Sequence, residues 1–380
     1  MAEKITFDNL NLNDNLLRGI YSYGFENPSP IQGKAIPHMN DKKDLIAQAQ
    51  SGTGKTGAFS IGILNNIDPE SNTTQALIIN PTHELANQNY SVMKDLSIYM
   101  NINVLSVVGG TNVRKCQDDL KKLPHIVVGT PGRILDMVQK RYLITEKMKI
   151  LILDEADEIL SYGFKESIYN IIQYIPKDTQ ICIYSATMPD EVIELTDKFM
   201  NKPERILVDK EKLTLDGILQ FYINVKVNDW KFDVLTDIYD TINVAQCIIY
   251  INSKNKLMEV NDRLKEKGFP VECIHGELSS DLRKQIMEDF KSGKLRILLS
   301  TDLLSRGIDI QQLSLVINFD LPREKETYIH RIGRSGRYGR KGVSINFVTE
   351  RDLEYQGEIQ SFYNTKIEEM PQNINDYLNV

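Results

Sequence analysis

At 380 residues the chain is long enough for two domains of ordinary size, and 41% hydrophobic against 26% charged residues suits two cores under a solvated surface. A net charge of −7 and a pI near 5.5 exclude a protein held to nucleic acid by overall charge, though not one with a local basic cleft. No apolar run approaches the roughly 18 residues of a membrane helix, the start MAEKITFDNLNLND lacks an apolar signal-peptide stretch, and the scattered Cys116, Cys182, Cys247 and Cys273 form no C-x-x-C, so the expectation is a cytoplasmic or nuclear protein with buried free thiols.

Residues 1–40 predict an amphipathic helix around Leu16, Leu17, Ile20 and Tyr21. A second helix follows, opened by Ser29 as N-cap and Pro30 at the first helical position. From Leu45 short β-rich runs alternate with helical patterns: 76–80, 103–108, 125–130, 149–155, 180–187 and 205–209. Residues 210–217 are polar and read as a linker. The alternation then resumes at 221–225, 246–252, 270–276, 296–301, 315–320 and 344–348. Such alternation predicts crossover units on mostly parallel sheets, hence an α/β chain with domains 34–209 and 218–380 and a leading segment 1–33. The halves read as two copies of one plan.

Only the first half carries a phosphate loop. The strand end Leu45-Ile46-Ala47 leads through Ala49-Gln50-Ser51-Gly52-Thr53-Gly54-Lys55-Thr56 into a helix bearing Phe59, Ile61 and Ile63. A glycine turn into a helix aims backbone N–H groups and the positive helix end at one point. Lys55 then brings an ammonium to the phosphates, and the Thr56 hydroxyl suits Mg²⁺. Ala49 departs from the G-x-x-x-x-G-K-[ST] pattern, which has glycine there. About a hundred residues on, an apolar strand ends in Asp154-Glu155-Ala156-Asp157. Asp154 suits Mg²⁺, and Glu155 the attacking water. Later, Arg331, Arg334, Arg337 and Arg340 recur every third residue among glycines, an arrangement that suits a triphosphate or an RNA backbone. Trp230 and the tyrosines near it read as packing residues, and His38 and His125 as structural.

With these constellations in order, the chain resembles the DEAD-box family of ATP-dependent RNA helicases over nearly its whole length. Phe7 and Gly24–Gln32 are similar to the family's adenine-reading segment. That likeness implies Gln32 on the adenine edge and an aromatic residue such as Phe25 stacked on the base. Ala49 is the family's own form of the loop. Pro81-Thr82-His83, Gly109-Gly110 and Thr130-Pro131-Gly132-Arg133 correspond to first-domain RNA contacts, with Arg283 and Thr301 in the second half. Asp157, Ser185-Ala186-Thr187 and His330 correspond to coupling segments. Gly307 and Asp309 match nucleotide contacts, Asp309 on the ribose, and Arg334 and Arg337 match arginine fingers.

The resemblance implies two tandem RecA-like domains, each a mostly parallel sheet flanked by helices, with ATP and Mg²⁺ as cofactors. It also implies a sequence-tolerant grip on single-stranded RNA or short duplexes, a monomer without membrane attachment, and a place in translation initiation with a scaffold protein. The same motifs also suit an ATP-gated RNA clamp in an RNA-processing complex; a DNA translocase fits them less well. Little chain lies outside the motifs, so no appended targeting domain is expected. Three positions depart from the family pattern: His83 stands where arginine is usual, Ser280 where glutamine is usual, and Ser305 where alanine is usual.

Overall fold

The computed structural model describes residues 5–49, 53–206, 218–241, 246–302, 313–335, 342–371, 373–374 and 377. The chain divides into two compact units, Met1–Val208 and Asp209–Val380. The first contains β1 (Leu45–Gln48), β2 (Ala76–Ile79), β3 (Val104–Val107), β4 (Ile126–Gly129), β5 (Ile150–Asp154), β6 (Gln180–Ser185) and β7 (Glu204–Ile206). The second contains β8 (Ile218–Lys226), β9 (Cys247–Tyr250), β10 (Val271–Ile274), β11 (Ile297–Ser300), β12 (Leu315–Asn318), β13 (Gly342–Thr349) and β14 (Glu368–Glu369).

Each unit is one seven-stranded sheet, ordered β3-β4-β2-β5-β6-β1-β7 and β10-β11-β9-β12-β13-β8-β14. Counted from its own first strand, the second sheet repeats the first strand for strand. All strand pairs are parallel. A parallel sheet is covered by helices on both faces, so its inner strands read as continuous apolar runs. β1, β2, β4, β5 and β6 are accordingly buried at every residue. One apolar cluster fills each face of the first sheet, with Ala47, Phe59 and Ile78 on one side and Leu77, Leu151 and Ile183 on the other, and three clusters pack the second unit.

Each β-rich run of the sequence forms a strand; β14, two exposed glutamates beside β8, carries no apolar signal and was not foreseen. The linker 210–217 lies outside the described residues. The helix Pro30–Asn40 starts as expected, with Ser29 Oγ accepting from Gln32 N and Gln32 Oε1 accepting from Ser29 N. Trp230 corrects an expectation. It is 55% exposed, because the helix after it turns Phe232, Leu235 and Ile238 into the core and leaves Trp230 on the opposite side. Cys116, Cys182 and Cys247 are buried free thiols, and Cys273 is half-buried. Among the described residues no helix is long and apolar enough to cross a membrane.

Candidate active site

In a parallel α/β sheet, ligands gather at the carboxyl ends of the strands. The expected RNA residues follow β2 (Pro81–His83), β3 (Gly109, Gly110) and β4 (Thr130–Arg133), three neighbouring strands. The expected phosphate loop follows β1, the catalytic pair Asp154-Glu155 stands at the end of β5 and the coupling residues Ser185–Thr187 at the end of β6, the next three strands.

Lys55 is the first residue of the helix Lys55–Asn66, after Gly54 at φ 99°. Glycine is required there twice over: the backbone is left-handed, and a Cβ would lie 2.8 Å from both Gln32 Nε2 and Ser29 Oγ. Lys55 Nζ stands 2.9 Å from Glu155 Oε2, with side chains 5% and 4% exposed. Glu155 sits just past β5 at φ 51°, an uncommon conformation for a side-chain-bearing residue that turns the chain sharply into the helix Ala156–Ile159. Asp154 Oδ2 accepts from Asn89 Nδ2 at 2.8 Å and Asn80 Nδ2 at 3.2 Å. Burial, and then the charge of Glu155, push the Asp154 carboxyl up to about 7 against the opposing pull of Lys55 and Asn89. Thr56 is half-buried on the same first helical turn as Lys55.

Gln32 is buried, and its Nε2 donates to Gly54 O at 3.3 Å. It therefore braces the loop's last glycine while each end of its amide retains one further bonding capacity. Phe25 is half-buried and stacks on Phe7, centroids 6.3 Å apart and planes 19° apart. Asp157 joins the two coupling segments: its N–H donates to Ser185 Oγ, and its Oδ2 accepts from the N–H and hydroxyl of Thr187. Gln48, at the end of β1, donates to Ala186 O at 3.1 Å, tying the phosphate-loop strand to the same segment.

On the RNA side, Thr82 caps the helix His83–Leu96 through Leu85 N. The His83 ring lies against Gly109-Gly110, where a Cβ on Gly109 would stand 3.1 Å from His83 Nε2. Arg133 donates to Thr111 Oγ1 and Thr111 O at 3.2 and 3.1 Å, beside the same glycines. Pro81 and Thr130 are buried at the ends of their strands. The structure thus gathers the three expected segments.

In the second unit Arg331 departs from the exposed basic cluster suggested by its spacing. It is fully buried and donates to Asp302 Oδ1 (2.6 Å), Asn252 Oδ1 (2.7 Å), Asp320 O (2.7 Å) and Asn318 Oδ1 (3.2 Å). Its guanidinium also stands 5.1 Å from the Tyr250 ring centre. The acidic and amide groups at three strand ends outbid an external anion for it. His330 and Arg334 are buried beside it, with Arg334 Nε donating to His330 O at 3.0 Å. Arg283 is buried and Thr301 half-buried at the end of β11. Gln50, Ser51, Gly52, Ser305, Gly307, Asp309, Arg337 and Arg340 lie outside the described residues.

Sequence reasoning missed Asn80, Asn89 and Gln48, and the inward role of Arg331. One signal was present: Asn89 falls on the buried stripe Leu85, Ala86, Met93, Leu96, where an apolar residue is the default.

Residues 29–195 match the DEAD/DEAH box helicase family, and residues 230–339 match the helicase conserved C-terminal domain. Eukaryotic initiation factor 4A of Caenorhabditis elegans is 52% identical over 373 residues, covering 98% of this chain and 93% of the relative. The ATP-dependent RNA helicase eIF4A of Candida albicans is 54% identical over 368 residues, covering 97% and 93%. Among solved structures, S. cerevisiae Dbp5 bound to RNA and ADP BeF3 superposes with a TM-score of 0.92 at 35% identity, covering 98% of this chain and 97% of that one. Mss116p bound to ssRNA and AMP-PNP gives 0.88 at 28% identity, covering 98% and 81%. The chain belongs to the DEAD-box family of ATP-dependent RNA helicases, and it is eIF4A-like along nearly its whole length.

Proposed function

We propose that this chain hydrolyses ATP in its first unit in response to RNA, and uses the cycle to open short duplexes or remodel RNA–protein complexes in cytoplasmic translation initiation, with a scaffold protein as partner. The observation that carries this reading is the buried Lys55–Glu155 pair beside Asp154, at the strand ends next to the RNA-side segments. In this reading Lys55 leaves Glu155 for the triphosphate when ATP binds. Glu155 is then free to orient the attacking water and take its proton. Gln32 reads the adenine edge with its remaining donor and acceptor, and Phe25 lies along the base. Arg334 and Arg337 stabilise the charge that develops on the transferred phosphoryl group, so neither unit alone turns over ATP. Pro81–His83, Gly109-Gly110, Thr130–Arg133, Arg283 and Thr301 hold the sugar-phosphate backbone, which makes binding tolerant of sequence.

The residues also fit Mg²⁺. Asp154 is a buried carboxylate whose ionisation is disfavoured by its surroundings, a deficit that a cation offsets. No cluster of three or more His, Cys, Asp or Glu side chains that could hold a metal occurs among the described residues. Thr56 and Asp154 would hold the ion. When bound, the ion supplies charge neutralisation on the phosphates.

The test is ATP turnover by the full chain with RNA, with DNA and with neither. Turnover stimulated by RNA and not by DNA supports the proposal, and equal rates in all three overturn it.

A further inference from the structure

β2 and β5 are neighbours in the first sheet, and their seam divides its carboxyl edge. The RNA-side segments stand at the ends of β3, β4 and β2, and the catalytic, coupling and phosphate-loop residues at the ends of β5, β6 and β1. Two buried amides cross that seam. Asn80 comes directly before Pro81, and its Nδ2 donates to Asp154 Oδ2 at 3.2 Å. Asn89, on the helix that His83 opens, donates to the same oxygen at 2.8 Å. Both side chains are fully buried. The Asn80 backbone is itself fixed, its N–H donating to Gly129 O at 2.8 Å at the end of β4, next to Thr130.

Neither amide oxygen, Asn80 Oδ1 or Asn89 Oδ1, has a hydrogen-bond partner among the described residues. Turning either amide over would set its oxygen against the carboxylate, so the Asp154 charge dictates both orientations. Two buried acceptors without donors are costly. A leucine at position 89 would complete the apolar stripe and avoid half of that cost, so packing alone does not account for the asparagine.

We infer that Asn80 and Asn89 are positioning residues that couple RNA contact on the Pro81–His83 turn to the orientation of the Asp154 carboxylate, and so to nucleotide. One oxygen held by two donors, one at the end of β2 and one on the helix that follows, cannot move without breaking a bond. A displacement of that turn by RNA is carried by Asn80 one residue away and by Asn89 on the same helix. Both act on a single atom. Coupling is reciprocal, so nucleotide that fixes Asp154 also sets the turn for RNA. The inference rests on the helicase reading above.

The test uses the full chain and a fluorescently labelled single-stranded RNA. Its affinity is measured with and without a non-hydrolysable ATP analogue and Mg²⁺, for the unmutated protein, Asn80→Ala and Asn89→Leu. Nucleotide affinity without RNA and melting temperature are recorded alongside. In each variant the tightening of RNA by nucleotide is expected to fall about tenfold, while each affinity measured alone stays within about threefold. A merely structural role lowers the melting temperature and leaves the coupling ratio intact; that result overturns the inference. Should Asn89→Leu fail to fold, Asn80→Ala decides by the same measurements, since it removes one bond from a strand end without adding bulk to the core. An unmutated protein in which nucleotide does not tighten RNA at all overturns the helicase reading and the inference together, an outcome distinct from intact coupling in the variants.

Discussion

The two units share one strand order, and each sets a buried lysine against a carboxylate at equivalent points of it. Lys55 opens the helix after β1 and meets Glu155; Lys231 opens the helix after β8 and meets Asp320 at 3.1 Å. The register fixes the correspondence. Ile79 pairs with Leu153 and Tyr250 with Asn318, and Glu155 and Asp320 each lie two residues further on. What surrounds the pairs differs. Asp320 also accepts from Asn252 N at 3.1 Å and has Lys256 at 3.8 Å, and both lysines stand over the Phe319 ring, at 5.7 and 5.0 Å. Phe319 occupies the place of Asp154. No glycine precedes Lys231, where the chain reads Val227-Asn228-Asp229-Trp230. The topology therefore delivers a lysine–carboxylate pair twice. A nucleotide site needs, in addition, a glycine turn and a second acid whose charge is left under-compensated. The second pair is a closed structural contact, and the first is the one that the proposed function requires a triphosphate to open.

Paired substitutions at the carboxylates test this contrast most strongly. Glu155→Gln is expected to lower RNA-stimulated turnover by roughly 10²–10⁴-fold, the usual worth of a positioned base. ATP binding should persist or tighten, because Lys55 no longer has to leave an ion pair. Asp320→Asn is expected to lower the melting temperature and leave turnover per folded molecule within about threefold. Steady-state ATPase assays and thermal melting of both variants separate the two behaviours. Equal losses of turnover would erase the distinction.

The lysines give the next largest effect. Lys55→Ala is expected to weaken ATP binding by about a hundredfold, since it removes the ammonium that the proposed function brings to the phosphates. Lys231→Met is expected to leave ATP affinity unchanged and to destabilise the protein by about 1–2 kcal/mol, since Asp320 loses its nearest ammonium but keeps Lys256 and the Asn252 N–H. Titration with a fluorescent ATP analogue reads the first effect, and denaturant unfolding the second.

Asp154 against Phe319 is a contrast of stability and pH. A carboxyl held near 7 binds its proton more tightly in the folded than in the unfolded chain. Its contribution to stability is therefore most favourable below about pH 4 and is lost as pH rises through about 7. Asp154→Asn removes that loss. Without nucleotide or Mg²⁺ the variant should melt higher at pH 8, on the order of 5 °C, and the difference should shrink toward pH 5. Melting curves across that range check it; a gain that is constant with pH would show that Asp154 is not the buried acid at work.

The strands were legible because parallel strands buried on both faces leave unbroken apolar runs, and the helix at Ser29-Pro30 because its capping chemistry is local. The phosphate loop and Asp154-Glu155 were legible for the same reason: each is a short contiguous motif. The seam was not. Asn80 and Asn89 take their meaning from Asp154, over sixty residues away in the chain, and an isolated asparagine gives no sign of its partner. Arg331 misled because a three-residue arginine spacing looks alike whether the guanidinium meets solvent or the strand-end groups Asp302 and Asn318. Trp230 misled because composition favours burial of a lone tryptophan, while the phase of the helix behind it decides.

The smallest expected effect concerns the RNA side of the first unit, where the only expected cations are His83 and an Arg133 already engaged with Thr111. Arginine is always charged and grips a phosphate through two parallel N–H bonds, whereas an imidazole is mostly neutral above pH 7. A neutral imidazole still donates one hydrogen bond but releases no counterion. On a single strand each neutralised phosphate steepens log K against log salt by about 0.7. His83→Arg is therefore expected to tighten RNA binding at low salt and to steepen that slope by up to about 0.7, which is roughly a threefold difference between 50 and 200 mM salt. The His83 ring rests on Gly109-Gly110, so a longer side chain leaving from the same helix start extends past those glycines without displacing a Cβ. RNA affinity at two salt concentrations, for both proteins, is the measurement. Identical slopes would mean that position 83 packs against the glycines and never meets the phosphate backbone.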